Sequence, residues 1–447
     1  MSEILRSIGL DVGTTSTQLI LSELTVENRA SGFAVPEMEI TRRQILYKSP
    51  VHFTPLLGEN LVDGEGIRRI VEAEYRNAGI TRKSVDTGAV IITGETSRKE
   101  NARAVLNALA DLAGDFVVAT AGPELESVLA AMGAGAAAYS EKTGKTVLHM
   151  DIGGGTSNLA LIKAGKIIRT GCLNVGGRLI RLEESGVIGY VSPVLTEICR
   201  KQPGQMLTET EAEEIAGALT EALEMAAGLR KPTELMRHFL TQEVSQVWKP
   251  PEEAVVLSFS GGVADCIAAE YPWLTFGDLG PVLGQAIRKS GLCRGEYRLG
   301  SETIRATVIG AGCHSTQLSG STVFYRNISF PLKNLPVVKL EEASRLAETA
   351  EREELIVFAM PGLASPSYQQ IIGLAEQIAA QLNGPVLLCL ERDMAKALGQ
   401  ALALRLPEDR PILCIDRIKV SSGSYLDIGA PVGHALPVIV KTLVLAR

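Results

Sequence analysis

Several patterns that would indicate a membrane or secreted protein are missing from this sequence. No uninterrupted apolar stretch reaches the ~20 residues that a membrane-spanning helix needs. The first residues also lack the basic head, apolar middle and small-residue cleavage site of a signal peptide. We therefore expect a cytosolic protein that neither spans a membrane nor binds to one.

Cysteine is scarce and scattered, and no C-x-x-C pair occurs among the 7 residues of this type. An odd number of separated thiols fits buried, reduced cysteines better than a disulfide framework or a zinc site. The 5 histidines include no H-E-x-x-H or similar metal-binding pair. We therefore expect neither a disulfide framework nor a metal site built from Cys and His.

Positive charge is not in excess either. Lys and Arg together number 44 against 51 acidic residues, which leaves a net charge of −7, and no basic run stands out. Such a balance makes nucleic acid an unlikely partner, since proteins that bind it present a basic surface to the phosphate backbone. A length of 447 residues with 46% apolar residues predicts a folded chain of two to four domains.

The sequence does contain a repeated pattern, at residues 4–22 and 146–162. Each copy has an apolar strand that ends in Asp, a turn of Gly and hydroxyl residues, and a second apolar strand. The two aspartates are Asp11 and Asp151, which are 140 positions apart. The repetition predicts an internal duplication in which one piece of chemistry is used twice.

A tight turn of this composition offers backbone N–H groups and hydroxyls to phosphate oxygens, and glycine lets the main chain approach closely. One copy alone is weak, because Asp, Gly and Thr are common hairpin residues. Two copies predict a nucleotide site, in which Asp11 and Asp151 hold Mg²⁺ through its waters. The phosphate-binding candidates are Gly13, Thr14 and Thr15 in the first turn and Gly153, Gly154, Gly155 and Thr156 in the second.

A third glycine pair, Gly261 and Gly262, follows another apolar strand at 254–259, in the order that a purine-binding loop requires. With this loop the chain resembles the actin/Hsp70/sugar-kinase superfamily, in which two such hairpins and an adenosine loop bind ATP. The resemblance implies an actin-like α/β ATPase fold with two facing duplicated domains, residues 1–145 and 146–325, and the nucleotide in the cleft. Residues 326–447 read as an additional C-terminal α/β unit.

The same resemblance implies two connecting helices, the first of which often begins with Glu-Pro and supplies a carboxylate for the attacking water. Here the order is Pro123-Glu124, followed by Glu126. Counting back from Gly133 favours Glu124 as the catalytic acid, together with Asp11 and Asp151, while Glu126 is the second choice. The second connecting helix is expected at Arg305–Gly312.

Other elements are predicted by periodicity and capping signals. Charged helix 64–77 and strand 89–93 precede a helix at about 99–112, and Thr208 opens a helix that runs to about 227. In the last third, strands at 355–360, 386–390 and 412–416 alternate with helices at 367–382 and 392–404, and a final strand starts at 436.

Over most of its length the chain is similar to one family in particular, the reactivating factors of ethanolamine ammonia-lyase. The segments that carry the similarity are Met150–Asn158, Phe276–Gly284 and Ser424–Gly429. The family implies a chaperone-like, slow ATPase that uses ATP and Mg²⁺ to release damaged cobalamin from its client, ethanolamine ammonia-lyase, so that intact adenosylcobalamin enters. It is expected in the cytosol, either free or beside the ethanolamine bacterial microcompartment.

Cobalamin is exchanged on the client under this hypothesis and is not a cofactor of the chain itself, which has no D-x-H-x-x-G segment. Two alternatives share the same cleft. A small-molecule kinase would pass the γ-phosphoryl group to a bound hydroxyl, and an actin-like filament or scaffold protein would assemble with ATP. Homo-oligomers are left open by the sequence.

Overall fold

The computed structural model describes most of the chain. It covers residues 2–13, 16–30, 38–58, 61–93, 101, 105, 109, 118–120, 123–241, 248–320, 322–340, 355–382, 384–420 and 424–442. The predicted helix at 99–112 falls almost entirely outside these ranges, as do Thr14 and Thr15.

The strands of the described residues form three larger sheets and two small ones. In chain order they are β1 (Glu3–Val12), β2 (Ser16–Asn28), β3 (Met38–Lys48), β4 (His52–Phe53), β5 (Leu56–Gly58), β6 (Leu61–Val62), β7 (Thr87–Ile92), β8 (Val118–Thr120), β9 (Val147–Ile152), β10 (Ser157–Lys163), β11 (Lys166–Leu173), β12 (Ile180–Leu182), β13 (Ile188–Val191), β14 (Val256–Ser260), β15 (Tyr297–Leu299), β16 (Gln317–Leu318), β17 (Phe324–Arg326), β18 (Leu332–Lys339), β19 (Val357–Met360), β20 (Val386–Leu390), β21 (Ile412–Ile415), β22 (Ser424–Ile428) and β23 (Pro437–Thr442).

The helices lie between these strands. They are α1 (Gly64–Asn77), α2 (Pro123–Gly133), α3 (Ala136–Thr143), α4 (Thr196–Cys199), α5 (Glu209–Ala226), α6 (Glu234–Phe239), α7 (Gly262–Ala268), α8 (Gly280–Lys289), α9 (Ala306–His314), α10 (Tyr368–Gln381) and α11 (Ala395–Ala403), with short 3-10 turns at Arg82–Ser84, Pro193–Leu195 and Gly291–Cys293. No helix within the described ranges combines the length and the apolar character that crossing a bilayer requires.

The first two sheets have the same strand order. The first sheet runs β3-β2-β1-β7-β8, with β4 added beside β2, and the second sheet runs β11-β10-β9-β14-β15. In the first sheet β1, which carries Asp11, is antiparallel to β2 and parallel to β7. In the second sheet β9, which carries Asp151, is antiparallel to β10 and parallel to β14. This shared topology confirms the internal duplication.

Helices α2 and α9 cross between the two sheets. Helix α2 packs against β9, β10 and β11, whereas α9 packs against β1, β2 and β7, so each helix contacts the sheet of the other half. The approach of α9 to β1 is close, because a Cβ on Gly9 would lie 2.7 Å from the Gly312 nitrogen. The second connecting helix, predicted at 305–312, is observed at Ala306–His314.

The capping signals in the sequence place the helix starts correctly. The N-cap of α5 is Thr208, whose N–H donates to the Glu211 carboxylate at 2.9 Å while the Glu211 N–H donates back to the Thr208 hydroxyl at 3.4 Å. Helix α5 then buries Leu219 and Leu223 in the same core cluster as Met150 of β9. Helix α1 begins at its predicted residue, after an Asp63 side-chain cap.

The third sheet runs β16-β23-β22-β18-β19-β20-β21-β17, with β18 to β21 parallel to one another. Its local elements agree with the prediction to within a few residues: α10 starts after Ser367 and β20 covers 386–390. Helices α10 and α11 pack in one core cluster with β20 and β21. The domain boundaries proposed after residues 145 and 325 stay predictions.

Candidate functional site

A cavity of about 530 Å³ opens where the two hairpin turns meet the loop after β14. Its lining includes most of the predicted site residues from both halves. They are Asp11, Gly13, Asp151, Gly153, Gly154, Gly155, Thr156, Gly261 and Gly262. Residues that are 250 positions apart in the chain therefore share one cavity, because the two duplicated hairpins face it together.

The first hairpin presents Asp11 near the end of β1, opposite Gln18 on β2. Its turn is closed by the Gly13 N–H, which donates to the Ser16 carbonyl at 2.8 Å. The hydroxyl of Thr93, which follows β7, donates to Asp11 Oδ1 at 2.9 Å. The Asp11 carboxylate is thus held by the neighbouring parallel strand.

The second hairpin repeats this geometry. Asp151 on β9 lies opposite Asn158 on β10, and the Gly153 N–H donates to the Thr156 carbonyl at 2.9 Å. The Ser260 hydroxyl, at the end of β14, donates to Asp151 Oδ1, and the Thr307 hydroxyl of α9 donates to Oδ2 at 3.4 Å. Each aspartate therefore accepts a hydrogen bond from a hydroxyl at the end of the neighbouring parallel strand: Thr93 after β7 for Asp11, and Ser260 of β14 for Asp151.

The glycine turn of the second hairpin is clamped by the segment that follows β11. The N–H groups of Gly177 and Arg178 donate to the carbonyls of Gly153 and Gly154, at 3.0 and 2.6 Å. A side chain at Gly176 would overlap the Gly154 backbone. These contacts fix the turn, whose glycines line the cavity.

The loop after β14 also needs its glycines. Gly261 has a φ of +84°, and an added Cβ would lie 2.8 Å from the Ile152 nitrogen. Its N–H donates to the Thr303 carbonyl at 3.0 Å, and Gly262 starts α7 beside the cavity. The adenosine-loop candidates therefore lie against the second hairpin, on the same cavity wall.

Two buried carboxyl groups dominate the electrostatics of the cavity. Burial raises the pKa of Asp11 to about 7, with the Thr93 hydrogen bond opposing this rise and the Asp151 charge adding to it. Burial likewise raises the pKa of Asp151 to about 6, against the hydrogen bonds from Ser260 and Thr307. A divalent cation beside the two carboxylates would offset the desolvation that raises both pKa values.

The two carboxylates fit a hard divalent cation such as Mg²⁺. Both acidic groups offer hard oxygen ligands, and among the described residues no cluster of three or more His, Cys, Asp or Glu side chains could hold a metal unaided. Mg²⁺ is commonly held by one or two carboxylates, its own waters and substrate phosphates, so it does not need such a cluster. The fit is therefore to a metal that arrives with a phosphate ligand.

The two candidate acids on α2 differ in their position relative to the cavity. Glu126 lines the cavity, whereas Glu124 is not among the lining residues. Both lie in the first turn of α2, whose Leu125 and Leu129 pack near β7 and α9. Of the two, the second choice, Glu126, is the one at the cavity, and the identity of the catalytic acid stays a prediction.

Some lining residues were not predicted from the sequence. Arg178 and Asp278 form an ion pair with 3.6 Å between Nε and Oδ2. Asp278 also accepts from the Gly280 N–H at 2.8 Å, and burial raises its pKa to about 6. Asp278 belongs to the Phe276–Gly284 segment, for which the sequence suggested no chemistry. The signal available was an Asp-x-Gly turn just before a helix.

Comparison with known proteins identifies the family of the chain. The model of the family described as "Ethanolamine utilisation protein EutA" matches residues 3–446. The chain belongs to the EutA family. It is 38% identical, over 473 aligned positions, to the ethanolamine ammonia-lyase reactivase EutA of Salmonella typhimurium. It is 36% identical, over 472 aligned positions, to that of Escherichia coli. Each alignment covers 98% of this chain and 98% of the relative.

Membership of the EutA family confirms the similarity to reactivating factors. The two sheets of equal strand order agree with the duplicated α/β fold expected from the sequence. Among solved structures, the ethanolamine utilization protein EutJ of Carboxydothermus hydrogenoformans is 17% identical, with a TM-score of 0.34, 68% of this chain covered and 88% of that one.

Proposed function

We propose that this chain is an ATP-dependent reactivating factor for ethanolamine ammonia-lyase. It would release damaged or inactive cobalamin from that enzyme so that intact adenosylcobalamin can bind. The observation that carries the proposal is the duplicated Asp-and-glycine hairpin, which faces one cavity in a chain that matches two reactivases over 98% of its length.

In this proposal the protein binds the phosphates of ATP through backbone N–H groups of the two turns, at residues 14–15 and 154–156. The N–H groups of Gly13 and Gly153 close the turns, and these two glycines contribute by letting the main chain approach the phosphates closely. Asp11 and Asp151 hold Mg²⁺ through its waters, and the bound ion neutralises charge on the phosphates. Glu126 orients the attacking water, with Glu124 as the weaker candidate because it does not line the cavity. Gly261 and Gly262 lie beside the adenosine.

Hydrolysis would be coupled to domain movement through the two crossing helices. Glu126 of α2 lines the cavity, and Thr307 of α9 both lines it and donates to Asp151. Each helix also packs on the sheet of the opposite half. A nucleotide that binds more tightly to one arrangement of the halves shifts the population toward it, which is the work that loosening a client requires.

The experiment that tests this is recovery of activity. Ethanolamine ammonia-lyase blocked with cyanocobalamin is mixed with this protein, Mg²⁺ and free adenosylcobalamin, either with ATP or without nucleotide. We expect recovery only with ATP. Failure to recover activity, while the protein is seen to hydrolyse ATP, would overturn the reactivase proposal and favour the kinase or filament alternative.

A further inference from the structure

Each duplicated hairpin carries a buried amide directly opposite its aspartate. Gln18 pairs with Asp11 and Asn158 pairs with Asp151. Residues opposite each other in an antiparallel pair project from the same face of the sheet. Gln18 is 3% exposed and Asn158 is 2% exposed.

Both amides share an unusual feature. The side-chain oxygens Gln18 Oε1 and Asn158 Oδ1 are buried and have no hydrogen-bond partner among the described residues. Buried acceptors are normally paired, so an unpaired one is available to accept from a bound water or ligand.

Gln18 differs from Asn158 in one respect: it lines the cavity. Its Nε2 donates to the Ile304 carbonyl, just before α9, at 3.2 Å. Turning the amide over would place its oxygen against that carbonyl, where two acceptors would face each other. The nitrogen is therefore the engaged end, and the oxygen is left as a free acceptor beside Asp11.

The free Gln18 oxygen is an acceptor, so its partner has to be a hydrogen-bond donor. Phosphate oxygens are themselves acceptors at neutral pH and cannot pair with an amide oxygen. A water molecule bound to a divalent cation directs its lone pairs at the metal, so that it can only donate to its surroundings. Such a water matches both the free amide oxygen and the carboxylates of Asp11 and Asp151.

We propose that Gln18 is a further residue of the metal–nucleotide site, whose Oε1 accepts a hydrogen bond from a water of the Mg²⁺ that Asp11 holds. This inference rests on the proposed ATP site. Gln18 is a positioning residue: it orients the metal's waters and makes no contact with the phosphates, which the turn N–H groups bind.

The test measures metal affinity rather than turnover. Mn²⁺ replaces Mg²⁺, and free Mn²⁺ is followed by electron paramagnetic resonance in the presence of ADP, while calorimetry measures ADP binding without metal. We expect Gln18→Leu to weaken Mn²⁺ binding about tenfold or more, the usual effect of losing a residue that supports a metal's ligands. Metal-free ADP affinity should not change.

Asn158→Leu is the matched control, because it removes the equivalent amide from a position that does not line the cavity; its Mn²⁺ affinity should equal that of the unmodified protein. Unchanged Mn²⁺ affinity in Gln18→Leu would overturn the inference alone. An equal loss of metal-free ADP binding would overturn it too, since the residue would then contact the nucleotide. Absence of Mn²⁺–ADP binding in the unmodified protein would instead reject the proposed ATP site.

Discussion

Gly133 and Gly310 meet where α2 crosses α9, and a Cβ added to Gly133 would lie 2.7 Å from the Gly310 nitrogen. A Cβ on Gly310 would in turn overlap the Leu129 carbonyl. The two helix backbones are therefore too close at this point to admit a side chain on either glycine. Each helix also contacts the sheet of the opposite half, so this helix–helix contact joins the two halves.

Gly310→Ala should destabilise the protein by about 1–3 kcal/mol, the usual result of overpacking a close contact. Gly217→Ala is the control, since Gly217 lies inside α5 with nothing within 4 Å of an added Cβ. That control should gain about 0.5–1 kcal/mol from the better helix propensity of alanine. Urea unfolding measures both, and equal stability of the two variants would contradict the tight crossing.

Asp151→Ala should abolish Mg²⁺-dependent ATP hydrolysis, lowering the rate by about a hundredfold or more, because the metal's stabilisation of phosphate charge is worth several kcal/mol. A phosphate-release assay over a range of Mg²⁺ concentrations measures this. Asp409→Ala, at an exposed position away from the cavity, should leave the rate unchanged. Normal turnover in Asp151→Ala would remove Asp151 from the metal role.

Gly154→Val should block nucleotide binding, because it places a branched side chain where the phosphate has to approach the turn. Calorimetry with ATP and Mg²⁺ should detect no binding at concentrations that saturate the unmodified protein. Gly295→Val makes the same change at an exposed position with nothing within 4 Å, and should bind normally. Normal ATP affinity in Gly154→Val would refute the phosphate cradle.

Glu126→Gln should reduce kcat by about 10²–10⁴, the range typical of a lost general acid or base, with little change in ATP affinity. Glu124→Gln is the matched control, two residues earlier in the same turn of α2 but outside the cavity lining. Steady-state ATPase kinetics distinguish them. The opposite pattern, with Glu124→Gln inactive, would restore the choice made by counting along the sequence.

Binding of Mg²⁺ with ADP should release protons at pH 6. The pKa of Asp11 is raised to about 7 and that of Asp151 to about 6, so at this pH Asp11 is mostly protonated and Asp151 about half so. Metals bind carboxylates in the ionised form and displace these protons. Release should fall toward zero above pH 8, where both groups are already ionised.

Calorimetry in buffers of different ionisation enthalpy counts the protons. Asp11→Asn should release fewer at pH 6 than the unmodified protein, because it removes the group with the higher pKa. Proton uptake on binding, or release that does not depend on pH, would contradict the assignment of these carboxylates.

The hairpins and the single helices could be predicted because their determinants are local. In each hairpin the Asp, the glycine turn and the return strand lie within about 20 residues, so one stretch of sequence specifies both the turn and the pairing partner. The Thr208–Glu211 capping box likewise marks the start of α5 by itself. These parts of the site and of the fold are determined by adjacent residues.

Other features depend on contacts between distant segments. Whether Glu124 or Glu126 faces the cavity is decided by the rotation of α2, which the packing of Leu125 and Leu129 near β7 and α9 sets. The Arg178–Asp278 ion pair joins segments 100 positions apart. The strand order of the third sheet also depends on distant segments, since β16 at 317–318 pairs with β23 at 437–438.

The sequence by itself determined that two Asp-and-glycine hairpins and a glycine loop exist, since each is encoded in consecutive residues. Only the tertiary structure decided that they share one cavity, that Glu126 lines it, and that Gln18 and Asn158 keep unpaired oxygens beside the aspartates. The reason is physical: turn formation depends on neighbouring residues, whereas burial and hydrogen-bond satisfaction depend on every segment that packs around a side chain.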